Sequence, residues 1–345
     1  MKINSAYIGV ILILLFSIPS YTQTSNKAIS YLNMINEQYE DIRKEMWNYI
    51  KTVAHSEDIS QIEKKRITLL QTVGKSINNV SNMQPFNNDS SLRDSVVSFL
   101  KLNFNVLNED FAKIINMKEI AEQSYDQMET YLLAQELANK KLGIASAKLD
   151  KQYKAFADKY KITLTDNKDS ISIKLNRSRE ALKYYNNIYL IFFEAYKQEK
   201  HLLERLEEDN LNAIEPNLTA LKNISEEGID KLEEINHFKG DNSLNAACKK
   251  LLNFYIDETK KIPIISDFIK VKKEYNKMAS IIESRNKDSL TDKEVNNYNE
   301  AAKAYNKKVN KFNKTRDKIN NERKIYMNIW NNSVDTFLSQ HIPKK

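Results

Sequence analysis

Apolar residues recur every three or four positions along most of this chain, and that period predicts long helices rather than strands. Leu32, Ile35, Tyr39, Ile42, Met46, Tyr49 and Val53 form one unbroken stripe, so a first helix is expected over about 27–55. The pattern restarts near Asp58 and ends near Met83. It restarts again at Ser91 and gives out around Asn116. A fourth run spans about 118–160, where the twelve positions from Ala121 to Tyr160 at 3-4 spacing make six heptads. Nine of the twelve are apolar, and Gln135, Asn139 and Ser146 interrupt them. At a rise of 1.5 Å per residue that helix is roughly 60 Å long, with Gly143 as the point where it would bend.

Residues 161–174, KITLTDNKDSISIK, break the period and read as a connector with a short extended piece. A second series starts near Leu175. Pro216 falls early in its second helix, where a missing N–H costs little. Pro263 is expected to split its third. A loop at about 284–291 precedes a last helix to about Gln340.

The second series echoes the first. Phe86-Asn-Asn-Asp-Ser-Ser-Leu92 aligns with Phe238-Lys-Gly-Asp-Asn-Ser-Leu244 at an offset of 152. Leu69, Ile77, Val80 and Met83 meet Leu221, Ile229, Leu232 and Ile235. Val96, Phe99, Leu100 and Leu102 meet Cys248, Leu251, Leu252 and Phe254. After a slip of five, Asp110-Phe111 meets Asp267-Phe268. Apolar positions agree while charges drift, as in a shared core. The expected architecture is therefore all-α: two tandem antiparallel helical bundles of about four long helices each, related by an internal repeat. In each turn the Phe would plug the gap between parting helices. Asp89 and Asp241 would cap the following helix, and Asn88 and Gly240 would take the left-handed conformation. One carboxylate per turn is too few to hold a metal.

Composition agrees with this architecture. Only 5 Gly and 5 Pro occur in 345 residues, so turns are few and the elements between them long. The 29% charged residues mix both signs, which suits solvated helix faces, and the net charge of +7 is mild for this size. Along the sequence no strong single-sign block stands out, so no nucleic-acid partner is expected.

The first 22 residues look like a secretory signal: Lys2, an apolar stretch from Tyr7 to Ile18, and small residues Ser20 and Thr22 before Gln23. The domains are then 1–22 signal peptide, 23–165 first repeat and 166–345 second repeat with a closing C-terminal helix. That helix carries YMNIWNNSVDTFL, an echo of EMWNYIKTV in the first. Beyond residue 23 the longest strongly apolar run, Ile188 to Phe193, is too short to cross a bilayer. Cys248 is the single cysteine, so no intramolecular disulfide forms.

The familiar chemical signatures are absent: no Gly-rich phosphate loop, no G-x-S-x-G, no H-E-x-x-H, no C-x-x-C. His201 and Glu204 form an i, i+3 pair, but bundle di-metal sites need that motif twice with two further glutamates. Cys248 aligns with Val96 and reads as a small buried hydrophobe. No catalytic residue, metal or cofactor is expected. Tyr184, Tyr185, Tyr189, Phe192, Phe193 and Tyr196 crowd one helix. Of these, Tyr185, Tyr189, Phe192, Phe193 and Tyr196 are the candidate ligand-binding residues, against the plainer reading as core. Asp169-Ser170-Ile171 and Asp288-Ser289-Leu290 resemble an O-glycosylation acceptor of exported bacterial proteins, which makes Ser170 and Ser289 candidate modification sites.

Residues 107–136, the stretch YYNNIYLIFFEAYKQE (184–199), LNAIEPN (211–217), MWNYIKTVAH (46–55) and FLSQHIPK (337–344) resemble a family of exported bacterial helical surface proteins with no assigned activity. The resemblance spans nearly the whole mature chain. It implies secretion and a surface or envelope location, and brings no functional residues with it. The expected function is an exported, non-enzymatic envelope or surface protein that binds a protein or surface partner. The alternative is a periplasmic small-molecule or lipid binder that uses the aromatic cluster.

Overall fold

The computed structural model describes residues 26–56, 58–113, 121–164, 169–285 and 289–344. The proposed signal segment lies outside them. Among the described residues the chain is all-helical, with no strand. Its helices are α1 (Asn26–His55), α2 (Ile59–Ser81), α3 (Ser91–Asn105), α4 (Tyr125–Lys159), α5 (Ser170–Glu207), α6 (Leu211–Glu234), α7 (Ser243–Glu283) and α8 (Asp292–His341). A single π-helical turn, Val106–Asp110, continues α3. No described helix is long and apolar enough to cross a membrane.

The predicted stripes are the buried ones. All seven stripe residues of α1, from Leu32 to Val53, are at most 3% exposed. In α4 the heptad residues Met128, Gln135, Leu142, Leu149, Tyr153 and Phe156 are buried, and the helix runs on through Gly143 without a break. α4 starts later than the sequence pattern suggests, because the Ser124 hydroxyl accepts from the Gln127 N–H and fixes the start there. The connector ends earlier than expected. Asp169 accepts from the Ser172 N–H at 2.7 Å, so α5 begins at Ser170 inside the stretch expected to be irregular. Pro263 does not split the third helix of the second series: α7 is continuous across it. Proline forfeits only its own N–H bond, to the Thr259 carbonyl, and the apolar residues Ile262, Ile265, Phe268 and Ile269 hold the helix on both sides.

The chain divides into two compact units. The first comprises the described residues up to 187 together with 334–344, and the second comprises 188–333. The division falls inside α5 and inside α8 rather than in the connector near 165. α5 is 38 residues long and carries Leu175, Ala181, Leu182 and Tyr185 into the core of the first unit before it leaves. The end of α8 also belongs to the first unit. His55 Nε2 donates to the Ile342 carbonyl at 2.6 Å, Arg177 donates to His341 Nδ1 at 2.9 Å, and Phe337 sits 5.5 Å from Tyr184.

The two signature turns have the same geometry. In the first, the Phe86 and Asp89 backbones exchange hydrogen bonds at 3.1 and 2.9 Å, with Asn87 and Asn88 at φ 49° and 61°. In the second, Phe238 and Asp241 do so at 3.2 and 2.9 Å, with Lys239 and Gly240 at φ 51° and 86°. Two left-handed residues in succession match the geometry of a type I′ turn, which explains the Asn-Asn and Lys-Gly pairs. Asp89 Oδ1 accepts from the Ser91 N–H at 2.9 Å and Asp241 Oδ1 from the Ser243 N–H at 2.8 Å, the expected caps. Phe86 fills the opening of its hairpin against Tyr31, Phe156 and Tyr160.

Candidate ligand-binding cleft in the second unit

Ile188, Phe192 and Ala195 on α5 are fully buried, and Phe192 stacks on Trp330 of α8 at 4.5 Å and 20°. One heptad beyond Phe192 the buried face changes character at Glu199, 2% exposed. α7 does the same. Leu244 and Leu251 are followed at the next heptad position by Glu258, 0% exposed. A carboxylate in a core register needs a cation. α8 supplies Arg323, whose Nε donates to Glu199 Oε1 and whose Nη2 donates to Glu258 Oε1. Nη1 donates to Asn320 Oδ1 at 2.6 Å.

Two buried carboxylates share one guanidinium, so the group cannot be neutral with both ionised. Burial, with Glu199 beside it, pushes Glu258 up to about 8, although Arg323 pulls the other way. The shift favours the protonated form of Glu258. Burial lowers the Arg323 pKa, but the two carboxylates outweigh it and the net shift is upward. The Tyr255 hydroxyl, fully buried beside the pair, is raised well above its ordinary value by burial and then by Glu199 and Glu258. Such a set contributes little net stability, because desolvation offsets the attraction.

Residues of the three helices, Arg323 among them, line a cleft of about 390 Å³. Leu203 and Leu206 of α5 and Ile262, Ile265 and Phe268 of α7 form an apolar wall, completed by Phe312 and Ile319 of α8. Arg323 and Asn320 also line it. At the rim Lys272 pairs with Asp209 at 3.1 Å, and the Arg316 guanidinium lies 5.4 Å over the Phe312 ring. A cleft of a few hundred Å³, in which an apolar wall meets the polar groups of Glu207, Asp209, Lys272, Arg316, Asn320 and Arg323, has the size of a site for an amphipathic small molecule.

The aromatic candidates lie elsewhere. Tyr185, in the first unit, is fully buried, and in the second unit Tyr189, Phe192 and Phe193 are at most 3% exposed. Tyr196 is half-buried and stacks on Phe192 at 5.7 Å. None of the five lines the cleft. Ser170 is exposed at the first position of α5, where its neighbour Asp169 both caps the helix and approaches Arg43 at 3.5 Å. Ser289 is exposed just ahead of α8, and Asp288 lies outside the described residues. His201 and Glu204 face each other at 3.5 Å on an exposed surface. Cys248 is buried, and burial pushes its thiol pKa up, away from reactivity. Among the described residues no group of three or more His, Cys, Asp or Glu is placed to hold a metal ion.

Sequence reasoning passed over Glu199, Glu258 and Arg323. The signal was present: Glu199 and Glu258 each stand on an apolar heptad face, where a lone carboxylate implies a buried partner. No known family model, no curated protein and no solved structure matches this chain.

Proposed function

We propose that this protein is an exported, non-catalytic binding module built from two related helical bundles, and that the α5–α7–α8 cleft of the second bundle receives an apolar or amphipathic small molecule. The observation that carries this reading is the cleft itself, a cavity of ligand size with an apolar wall and a fixed guanidinium. A binding role is favoured over a chemical one because Glu199 and Glu258 both spend an oxygen on Arg323 and neither lines the cleft. The relation between the bundles is supported by their matching turns. It is supported too by a burial pattern that recurs at the same offset, with Leu69, Val73, Val80, Val96 and Leu100 against Leu221, Ser225, Leu232, Cys248 and Leu252, all buried. Export is supported by the tripartite first 22 residues, and a cell-surface or envelope location by the resemblance of the sequence to exported helical surface proteins.

The neutral fluorescent probe N-phenyl-1-naphthylamine tests the cleft in the full mature chain. The expected result is saturable binding at one site per chain that weakens by about tenfold or more when Leu206→Trp fills the apolar wall. Binding at many sites, no binding, or a Leu206→Trp protein of unchanged helicity that binds as before would overturn the assignment.

A further inference from the structure

The charge of this chain is not spread evenly. Residues 270–318, which form the hairpin of α7 and α8, hold fourteen Lys and Arg against seven Asp and Glu, a net +7. The whole chain is also +7, so everything outside this hairpin sums to zero. The hairpin is held by an aromatic seam: Phe268 stacks on Phe312 at 4.1 Å, and Tyr275 meets Tyr305 at 4.9 Å and Tyr298 at 5.8 Å. Opposite that seam on α8, at spacings of four, four, three and four, run Lys303, Lys307, Lys311, Lys314 and Lys318, all exposed. These spacings keep the five on one helix face over roughly 22 Å. Lys318 lies 3.9 Å from Glu322, and among the described residues no carboxylate comes within ion-pair distance of the other four. The exposed amides of Asn306 and Asn310 stand between the lysines. Glu300 at one end, Glu322 at the other and Asp317 at the edge are the acidic residues of this face; Asp317 is taken by Arg316 at 3.1 Å, and Glu322 pairs with Lys261.

We propose that this lysine–asparagine face binds a linear acidic glycan, a polymer with regularly spaced sugar carboxylates. Five like charges held in line repel one another, so a line of opposite charges is the complement that relieves them. Lysine ammoniums are point charges on flexible stems, so they can follow anionic groups along a chain without the fixed geometry that the arginine fork demands. The asparagine amides can both donate to and accept from sugar hydroxyls. Single-stranded nucleic acid needs aromatic platforms for its bases, and the aromatics of this hairpin are spent on its seam. A membrane-surface helix needs an apolar face to bury, and this one presents none beside the lysines. The face lies opposite the side of α8 that carries Phe312, Arg316, Ile319 and Arg323 to the cleft, so the two sites are separate.

Isothermal titration of short oligogalacturonates into the full mature chain reads this directly. The test variant is Lys303→Gln, Lys307→Gln, Lys311→Gln, Lys314→Gln and Lys318→Gln together. A control of equal charge carries Lys101→Gln, Lys148→Gln, Lys151→Gln, Lys222→Gln and Lys250→Gln. Gln keeps helix propensity at these exposed positions, and circular dichroism confirms retained helicity. The expected result is salt-sensitive binding by the natural protein and the control, and a loss of about tenfold or more in the stripe variant. Equal losses in both variants, no binding at all, or tighter stripe-dependent binding of oligothymidylate or phosphatidylglycerol vesicles than of oligogalacturonate overturns the proposal.

Discussion

The α2–α3 hairpin of the first unit and the α6–α7 hairpin of the second make the same turn and then part ways. Both pass through two left-handed residues, both cap with an aspartate, and both bury Leu92 or Leu244 in the next turn. Fourteen residues further on, the first buries Val106 and the second, 152 positions later, buries Glu258. The corresponding position for Glu199 in the first unit is Trp47, 7% exposed. Burial is thus alike at both positions while chemistry is reversed, from apolar packing to a carboxylate pair on a guanidinium. The backbone differs at the same place. The first hairpin contains a π turn at Val106–Asp110, whereas the second runs on as α-helix through Pro263. Core geometry decides which positions are inside, and what is placed there decides whether the inside is inert or carries a site.

The sharpest way to break this contrast is Arg323→Met. Removing the shared cation leaves Glu199 and Glu258 buried without one and should cost the second unit about 3–5 kcal/mol, measured by urea unfolding. Adding Glu258→Val, which copies the first unit, should recover part of that loss. An Arg323→Met chain as stable as the natural one would mean that the buried set is not what ties these helices together.

A pH titration separates the units next. Glu258 keeps its proton up to about 8 in the folded chain, against an ordinary value of 4.5. Between those values the folded state holds a proton that the unfolded state has released. Stability therefore falls as pH rises through the window and levels off above it, with a slope approaching about 1.4 kcal/mol per pH unit. Asp89 in the first unit behaves oppositely. Hydrogen bonds from Lys159 and Ser91 hold it well below the carboxylate range, so its contribution is present above the ordinary value and lost as pH falls below it. Glu258→Gln should flatten the first slope and leave the acid limb unchanged.

Smaller effects come from paired positions 76 and 228. A Cβ on Gly228 would lie 3.0 Å from Leu252 Cδ1 and 3.1 Å from Ile191 Cγ2. Gly228→Ala should therefore destabilise by about 1–3 kcal/mol through overpacking. Ser76 already carries its Cβ at the matching place and donates to the Gln38 carbonyl at 3.3 Å, so Ser76→Ala should cost about 1 kcal/mol or less. Effects of similar size arise at the caps. Asp89→Ala and Asp241→Ala should each cost about 1 kcal/mol in thermal unfolding through the lost cap.

What could be read from the sequence follows from what periodicity encodes. The stripe of α1, the heptads of α4 and the two turns were legible because burial on one helix face and left-handed backbone each demand particular residue types at fixed spacing. The start of α5 at Ser170 was hidden by β-branched neighbours that mimic a strand, while the Asp169 cap that decides it is a single side chain. Pro263 read as a break because local propensity was weighed without the apolar contacts on both sides. The cleft could not be read at all, since it depends on how side chains of three helices pack around Arg323. The lysine stripe was missed for a different reason: charge was surveyed along the chain, where asparagines and glutamates dilute it, rather than around the helix, where every third or fourth residue gathers on one side.

Amide hydrogen exchange on the full chain, with and without saturating N-phenyl-1-naphthylamine, tests most directly whether the second unit carries the site and the first is packing alone. Added protection should concentrate in the segments that line the cleft, at 203–209, 262–272 and 312–323. Protection that falls mainly on α1 to α4, or that is uniform across both units, would contradict the account.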